Sequence, residues 1–436
     1  MENKSPIPTE IRDFFGDEYG KTLLIKGEPG TGKTVFALTL LSMLKGNGAY
    51  LSTRVDPNTL YMLYPWVKGT IDPDNIVDAT QSEHERKKAK GAVTIKPLRY
   101  TAAPDFLKAI YTRVEKMKNP IVIIDSWDAV ASYTGHYEHN KREKLEHNFC
   151  DFCRKTGTKI ILIVEYTEQR ALDYMVDAVI TTKSDMYKGR RLRSLSIQKL
   201  RGCSVKNPIY LFSLYNSIFT FFSAPETDGI ENTVIPDTIP DITDGNISTG
   251  INDFDMLIAG YAHRSVNIFE GDYLPYDILA RALAINALNL GRHVFLTSAK
   301  QHDFINKILP FVKEEYRDNI ESEEELKNLK ERLKGVKGKF VLFLDLEKTE
   351  HIDEVVRDVM SPIREQGLEQ GCAVMCYTGR GEVKGEELES IASTYFKTKF
   401  FSGIPCIYGE FPRTRIHAME LNTSEGFPVI NLTPIE

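Results

Sequence analysis

Short, wholly apolar runs alternate along the chain with stretches of helical spacing, an alternation that predicts a mixed α/β fold. Leu23-Leu24-Ile25, Ala49-Tyr50-Leu51, Ile121-Val122-Ile123-Ile124 and Ile160-Ile161-Leu162-Ile163-Val164 carry no polar face. They read as strands buried on both sides, the habit of a mostly parallel sheet flanked by helices. Between them, Phe106, Leu107, Ile110, Val114 and Met117 recur at helical spacing over 104–118 until Pro120 ends the run, and a further helix is expected over 141–155. Asp177-Ala178-Val179-Ile180 and Arg193-Ser194-Leu195-Ser196-Ile197 then predict a hairpin turning at 187–191, followed by a strand over 209–214.

The pattern restarts in the second half. Residues 225–240 are rich in Thr, Asp, Pro and Gly without apolar periodicity, so a linker is placed at 225–246 between a domain of residues 1–224 and one of residues 247–436. Strands are expected at 265–269, 291–298, 339–345 and 371–378, with a last one at 415–421. The charged segment 314–334, with Glu–Lys spacing, reads as a solvated helix or helix pair.

The first strand runs into Gly27-Glu28-Pro29-Gly30-Thr31-Gly32-Lys33-Thr34, a complete G-x-x-x-x-G-K-T between a strand and a helix. Such a loop wraps phosphates with backbone N–H groups and a helix N-terminus. Lys33 neutralises the outer phosphates of ATP, and the Thr34 hydroxyl can hold Mg²⁺. Asp125, an acid at the end of the strand from Ile121, is placed beside that loop as a second Mg²⁺ partner.

Composition narrows the rest. The 436 residues exceed a usual single core, and 42% hydrophobic with 27% charged residues is that of a globular protein. A net charge of −6 provides no whole-chain attraction to nucleic acid or to an anionic membrane. No apolar run approaches the roughly 20 residues that span a bilayer, and Met1 to Glu10 lacks the pattern of a signal peptide, so a cytoplasmic protein is expected. Six sparse cysteines suggest reduced thiols; Cys150 and Cys153, near His136, His139 and His147, lack the second pair that a zinc site needs. The loop at 133–140 is short of Lys and Arg for nucleic-acid contact, and the charge run 83–88 reads as a solvated face.

On these motifs the chain resembles the RecA-like ATPases of the KaiC branch: phosphate loop, Ile124-Asp125-Ser126, Met175-Val176-Asp177-Ala178-Val179-Ile180 before a basic hairpin, and Lys199-Leu200-Arg201-Gly202. The resemblance implies a homo-oligomeric ring, hexamers included, with ATP between subunits and with Lys199 and Arg201 reaching the neighbour's γ-phosphate. The family's water-polarising Glu after the second strand is replaced: Ser52-Thr53 is followed by Arg54-Val55, leaving Asp56 and Glu165 as candidates and suggesting slow turnover.

Residues 247–257 resemble the family's domain opening, so two tandem RecA-like domains are expected. In the second, Lys33 and Thr34 are replaced by Asp277 and Ile278, and Gly30 and Gly32 by Leu274 and Tyr276, which implies a degenerate site. A two-copy chain with one intact site resembles the archaeal P-loop proteins related to the gas-vesicle regulator GvpD, and implies a regulatory ATPase acting through a protein partner. The rival expectations are a non-catalytic ATP-gated interaction module and, ranked last, a DNA-dependent recombination-type ATPase.

Overall fold

The computed structural model describes residues 6–43, 48–72, 75–78, 112, 114–118, 120–133, 139–224, 230, 232–242, 245–297, 301–322, 333, 336, 338–347, 371–379 and 390–436. The charge run 83–88, most of the helix expected over 104–118 and the loop segment 134–138 lie outside them. The chain divides into two compact units, residues 2–221 and 222–435. Among the described residues no helix is long and apolar enough to cross a membrane.

In the first unit, β1 (Thr22–Lys26), β2 (Gly48–Ser52), β3 (Ile76–Asp78), β4 (Ile121–Asp125), β5 (Lys159–Ile163), β6 (Ala178–Tyr187), β7 (Arg190–Leu200), β8 (Ile209–Ser213) and β9 (Thr220–Phe221) form one sheet in the order β3-β2-β4-β5-β1-β6-β7-β8-β9. Neighbours from β3 to β6 are parallel and those from β6 to β9 antiparallel. The apolar runs are buried on both sides as their composition requires. Leu23 and Ile25 pack with Phe36 and Leu40 of the helix Lys33–Met43, while Leu24 packs on the opposite face with Trp127 and Phe149. Each such side chain, fully buried, contributes about 1.5–3 kcal/mol.

Parallel pairing carries chain ends to one edge. Ser52 stands beside Asp125, and Asp125 beside Ile163, so the segments leaving β1, β2, β4 and β5 converge at the strands' carboxyl ends, where open α/β sheets place their ligands. The hairpin β6–β7 extends past β1, which it flanks only as far as Thr181. Its strands are longer than the apolar pattern indicates, because the mostly polar residues 183–187 and 190–193 still pair across it. Lys188 and Gly189, both at positive φ (48° and 71°), make the two-residue turn whose twist suits a hairpin.

The second unit contains β12 (Ser265–Gly271), β13 (His293–Thr297), β14 (Ile320–Ser322), β15 (Phe340–Asp345), β16 (Cys372–Thr378), β17 (Thr394–Phe401), β18 (Ile404–Phe411), β19 (His417–Asn422) and β20 (Val429–Pro434), besides a small ribbon of β10 (Asn246–Ile247) and β11 (Tyr261–Ala262). Its order, β14-β13-β15-β16-β12-β17-β18-β19-β20, repeats that of the first sheet position by position, including the switch from parallel to antiparallel after β17. Two expectations are corrected. At the start of the charged segment, residues 314–322 form a 3₁₀ turn, Glu314–Asn319, leading into an edge strand, β14, where Ile320 pairs with Val294; residues 323–332 and 334, which carry the Glu–Lys spacing, lie outside the described residues. The strand expected at 415–421 is β19 and is not the last, since β20 pairs along its length.

The junction after the first strand separates the two units. Between β1 and the helix Lys33–Met43 lies the open loop 27–32, whereas between β12 and the helix Tyr273–Asn289 there is Asp272 alone. The residues aligned with the phosphate loop are wound into helix. Tyr276 stacks on Tyr377 with ring centroids 4.8 Å apart, Tyr273 meets the same ring edge-on at 5.3 Å, and a cavity of about 20 Å³ remains beside them. Asp277 pairs with Arg281 one turn further along.

Lys26, the last residue of β1, is buried; its ammonium lies 2.6 Å from Asp173 and donates to the Glu168 carbonyl at 2.8 Å. Asp173→Ala leaves that charge buried and uncompensated, and is expected to cost about 3–5 kcal/mol. Urea denaturation followed by circular dichroism measures it; an unchanged midpoint refutes the assignment.

Candidate nucleotide site

The loop 27–32 leaves β1 at the carboxyl edge and closes on itself. Gly27, Gly30 and Gly32 have φ of 150°, 77° and 97°. At Gly27 a Cβ would come within 2.5 Å of the Thr182 carbonyl oxygen, so the loop's first turn tolerates no side chain. At Gly30 a Cβ would meet nothing within 4 Å, the open side of the concavity. Thr31 Oγ1 is bonded to Thr182 Oγ1 at 2.8 Å, and Arg193 Nη1 donates to the Gly30 carbonyl at 3.0 Å, so β6 and β7 brace the loop from one side. Burial and the neighbouring Arg191 bring the Arg193 guanidinium down to about 10.

Lys33 Nζ donates to the Gly27 and Glu28 carbonyls, both at 2.7 Å, which holds the ammonium over the loop. Burial draws it below the usual lysine value, against the pull of Glu165 and Asp125. Thr34 Oγ1 donates to Asp125 Oδ2 at 2.6 Å, and Tyr50 OH donates to the same oxygen at 2.8 Å. Desolvation and the Asp125 charge raise the Tyr50 hydroxyl well above its ordinary value, so it stays a donor. Opposite, Arg54 and Glu165 meet in a two-pronged ion pair, with Nη2 2.7 Å from Oε2 and Nη1 on Oε1. Hydrogen bonding to Glu165 pushes the Arg54 guanidinium further up. Glu165 is fixed through its amide, which donates to Asp128 Oδ2 at 3.2 Å.

These groups surround one cavity of about 250 Å³, whose lining includes Gly30, Gly32, Lys33, Thr34, Tyr50, Arg54, Asp125 and Glu165. Loop amides, a helix N-terminus and a lysine suit a chain of phosphates; the Thr34–Asp125 pair offers the hard oxygens that Mg²⁺ prefers. The residues fit the phosphates of a nucleotide together with Mg²⁺.

Of the candidates read from the sequence, Gly27 to Thr34 form the loop and Asp125 and Glu165 stand beside it. Asp56 is not among the lining residues. It caps the helix Pro57–Leu63, accepting from the amides of Asn58 at 3.0 Å and Thr59 at 3.2 Å and from the Thr59 hydroxyl at 2.6 Å. Lys199 and Arg201 lie toward the other edge of the sheet: Lys199 pairs with Val179, which neighbours Leu24 in the middle of β1, and the Arg201 amide donates to the carbonyl of Asp177, whose own amide donates to that of Thr22 at the start of β1. Lys199 Nζ donates to the carbonyls of Asp173, Tyr174 and Val176, and Arg201 to the Tyr174 carbonyl and Asp177, closing the C-terminus of the helix Ala171–Met175. Tyr50 and Arg193 escaped the sequence reading. Tyr50 looked like one more apolar residue of β2, and the basic stretch 188–201 drew attention to its far end.

Cys150 and Cys153 are buried, and burial raises both thiols, Cys150 to about 11. Among the described residues no group of three or more His, Cys, Asp and Glu side chains could hold a metal ion.

Strand, glycine loop, helix and acidic strand end together define a P-loop nucleotide-binding domain. Residues 11–198 match the family model described as GvpD gas vesicle protein, P-loop domain. Protein GvpD2 of Halobacterium salinarum is 30% identical over 271 residues, covering 60% of this chain and 54% of that protein. Protein GvpD1 of the same organism is 27% identical over 265 residues, covering 59% and 49%. The chain is thus GvpD-related through its P-loop domain, and the matched region spans about half the length of these relatives.

Asp56→Ala is expected to cost about 1 kcal/mol of stability through the lost cap. The Thr59 hydroxyl, foremost among its donors, holds the Asp56 carboxyl below its ordinary value. A depressed carboxylate stabilises above its unfolded pKa and loses that contribution as pH falls through the folded one. The difference between parent and variant in chemical denaturation therefore shrinks as pH drops below about 4; a difference that persists there rules the cap out as its source.

Proposed function

We propose that the chain is a regulatory ATPase of the KaiC-like kind, whose first unit binds Mg·ATP and turns it over slowly while the second serves assembly or partner contact. One observation carries the reading: Lys33, Thr34, Asp125 and Glu165 line a single cavity at the carboxyl edge of the sheet. Lys33 and the loop amides hold the phosphates, and Thr34 with Asp125, steadied by Tyr50, hold Mg²⁺, which supplies charge neutralisation when bound. Glu165 accepts a proton from the water that attacks the γ-phosphorus as the bond to the β-γ bridging oxygen breaks. Arg54 must leave Glu165 before that proton can be accepted, which supports slow turnover, on the order of 10⁻² per second or less.

The helical winding of 273–276 and the tyrosines packed there favour a second unit without a nucleotide, a pseudo-ATPase domain. The proposed assembly is a homo-oligomeric ring in which Lys199 and Arg201 exchange their bonds at the end of the helix Ala171–Met175 for the neighbouring subunit's nucleotide, with conformation or partner binding as output. The Arg54–Glu165 pair also favours a second reading, an ATP-gated module without turnover.

Native mass spectrometry with Mg²⁺ and a slowly hydrolysed ATP analogue is expected to show rings with one nucleotide per chain. Lys33→Ala should bind at least about 100-fold more weakly, given the charge-assisted contacts it removes. Two nucleotides per chain, or parental affinity in that variant, would overturn the proposal; phosphate release separates the ATPase from the module.

A further inference from the structure

Arg54 and Glu165 leave β2 and β5, which are not neighbours, so their ion pair bridges the carboxyl end of β4, above Asp125. Both side chains line the cavity with Lys33. They differ in how firmly they are held. Glu165 is anchored by its amide on Asp128 and its side chain is 27% exposed, whereas the Arg54 side chain is 48% exposed on a turn. That turn is pinned just before it, where Thr53 Oγ1 donates to the Asp125 carbonyl at 2.9 Å. The base of Arg54 is therefore fixed, while its guanidinium is half-exposed and bonded to Glu165.

The cavity wall carries two cations, Lys33 and Arg54, and two anions, Asp125 and Glu165. With Arg54 on Glu165, Lys33 faces the incoming phosphates without a second cation. A guanidinium fork fits phosphate oxygens as well as it fits a carboxylate, and a half-exposed ion pair is cheap to exchange.

We propose that Arg54 is the residue that selects a nucleoside triphosphate over a diphosphate, by exchanging Glu165 for the terminal phosphate. The inference rests on reading the cavity as the Mg·ATP site. A diphosphate stops short of the rim and leaves the pair closed. The exchange adds a cation to the most charged end of the ligand and uncovers the Glu165 carboxylate in the same movement, so Glu165 competes with ligand until a γ-phosphate arrives.

The test is equilibrium titration of the full chain, in Mg²⁺, with fluorescently labelled ADP and with a labelled non-hydrolysable ATP analogue. Arg54→Gln is expected to weaken the triphosphate about tenfold and to keep the diphosphate within about twofold. Glu165→Gln removes the competitor and should tighten the triphosphate about two- to fivefold, a gain that a purely structural ion pair would not produce. Equal losses for both nucleotides in Arg54→Gln, or weaker triphosphate binding in Glu165→Gln, would overturn the assignment. Lys33→Ala is the internal control: lost binding there alongside an unchanged triphosphate preference in Arg54→Gln sinks the role of Arg54 alone, whereas parental binding in Lys33→Ala sinks the site itself.

Discussion

The parallel pairing of β4 between β2 and β5 is the constraint on which the site depends. Because these strands run the same way as β1, the phosphate loop, Arg54, Asp125 and Glu165 are delivered to one edge from segments far apart in the chain. An antiparallel neighbour would send its following loop to the opposite edge. The apolar runs that force this sheet to be buried on both faces are thus also what assembles the chemistry.

The two units show that topology and site are separable. Nine strands recur in the same order with the same change of direction, yet the junction after the first strand differs completely. In the first unit, glycines at positive φ hold residues 27–32 out of the helix. In the second, Leu274, Pro275 and Tyr276 can all adopt helical angles, so the helix begins at Tyr273 and the tyrosine rings pack where the loop would have opened. The fold is carried by many small burial terms and survives such a change. A concavity made of a few unusual dihedrals does not.

Charged side chains were the least legible part of the sequence. Lys199, Arg201 and Asp56 stand next to conspicuous motifs, yet within this chain each is engaged with a helix terminus: the two cations with the carbonyls ending 171–175, the carboxylate with the amides beginning 57–63. Terminal peptide groups attract the same residue types as a phosphate or a catalytic water does, so residue type alone does not distinguish the two uses. The converse holds at Arg193 and Tyr50. Neither belongs to a recognised spacing, and both touch the site because the register of β7 and the pleat of β2 direct them there.

From the sequence by itself came the features that depend on neighbours along the chain: the α/β alternation, the phosphate loop with its strand and helix, the acid ending β4, the internal repeat, and the replacement of the loop's glycines in the second copy. These are local because backbone dihedrals, helix starts and apolar runs are local. The tertiary structure decided what depends on distance across the sheet. It put Arg54 on Glu165 rather than leaving either alone, gave Asp125 two hydroxyl donors, sent Lys199 and Arg201 toward the far edge, and turned the charged segment at 320–322 into an edge strand. An ion pair or a ladder hydrogen bond forms between groups that strand order and register bring within about 3 Å, and neither order nor register is written in the spacing of residues along one strand.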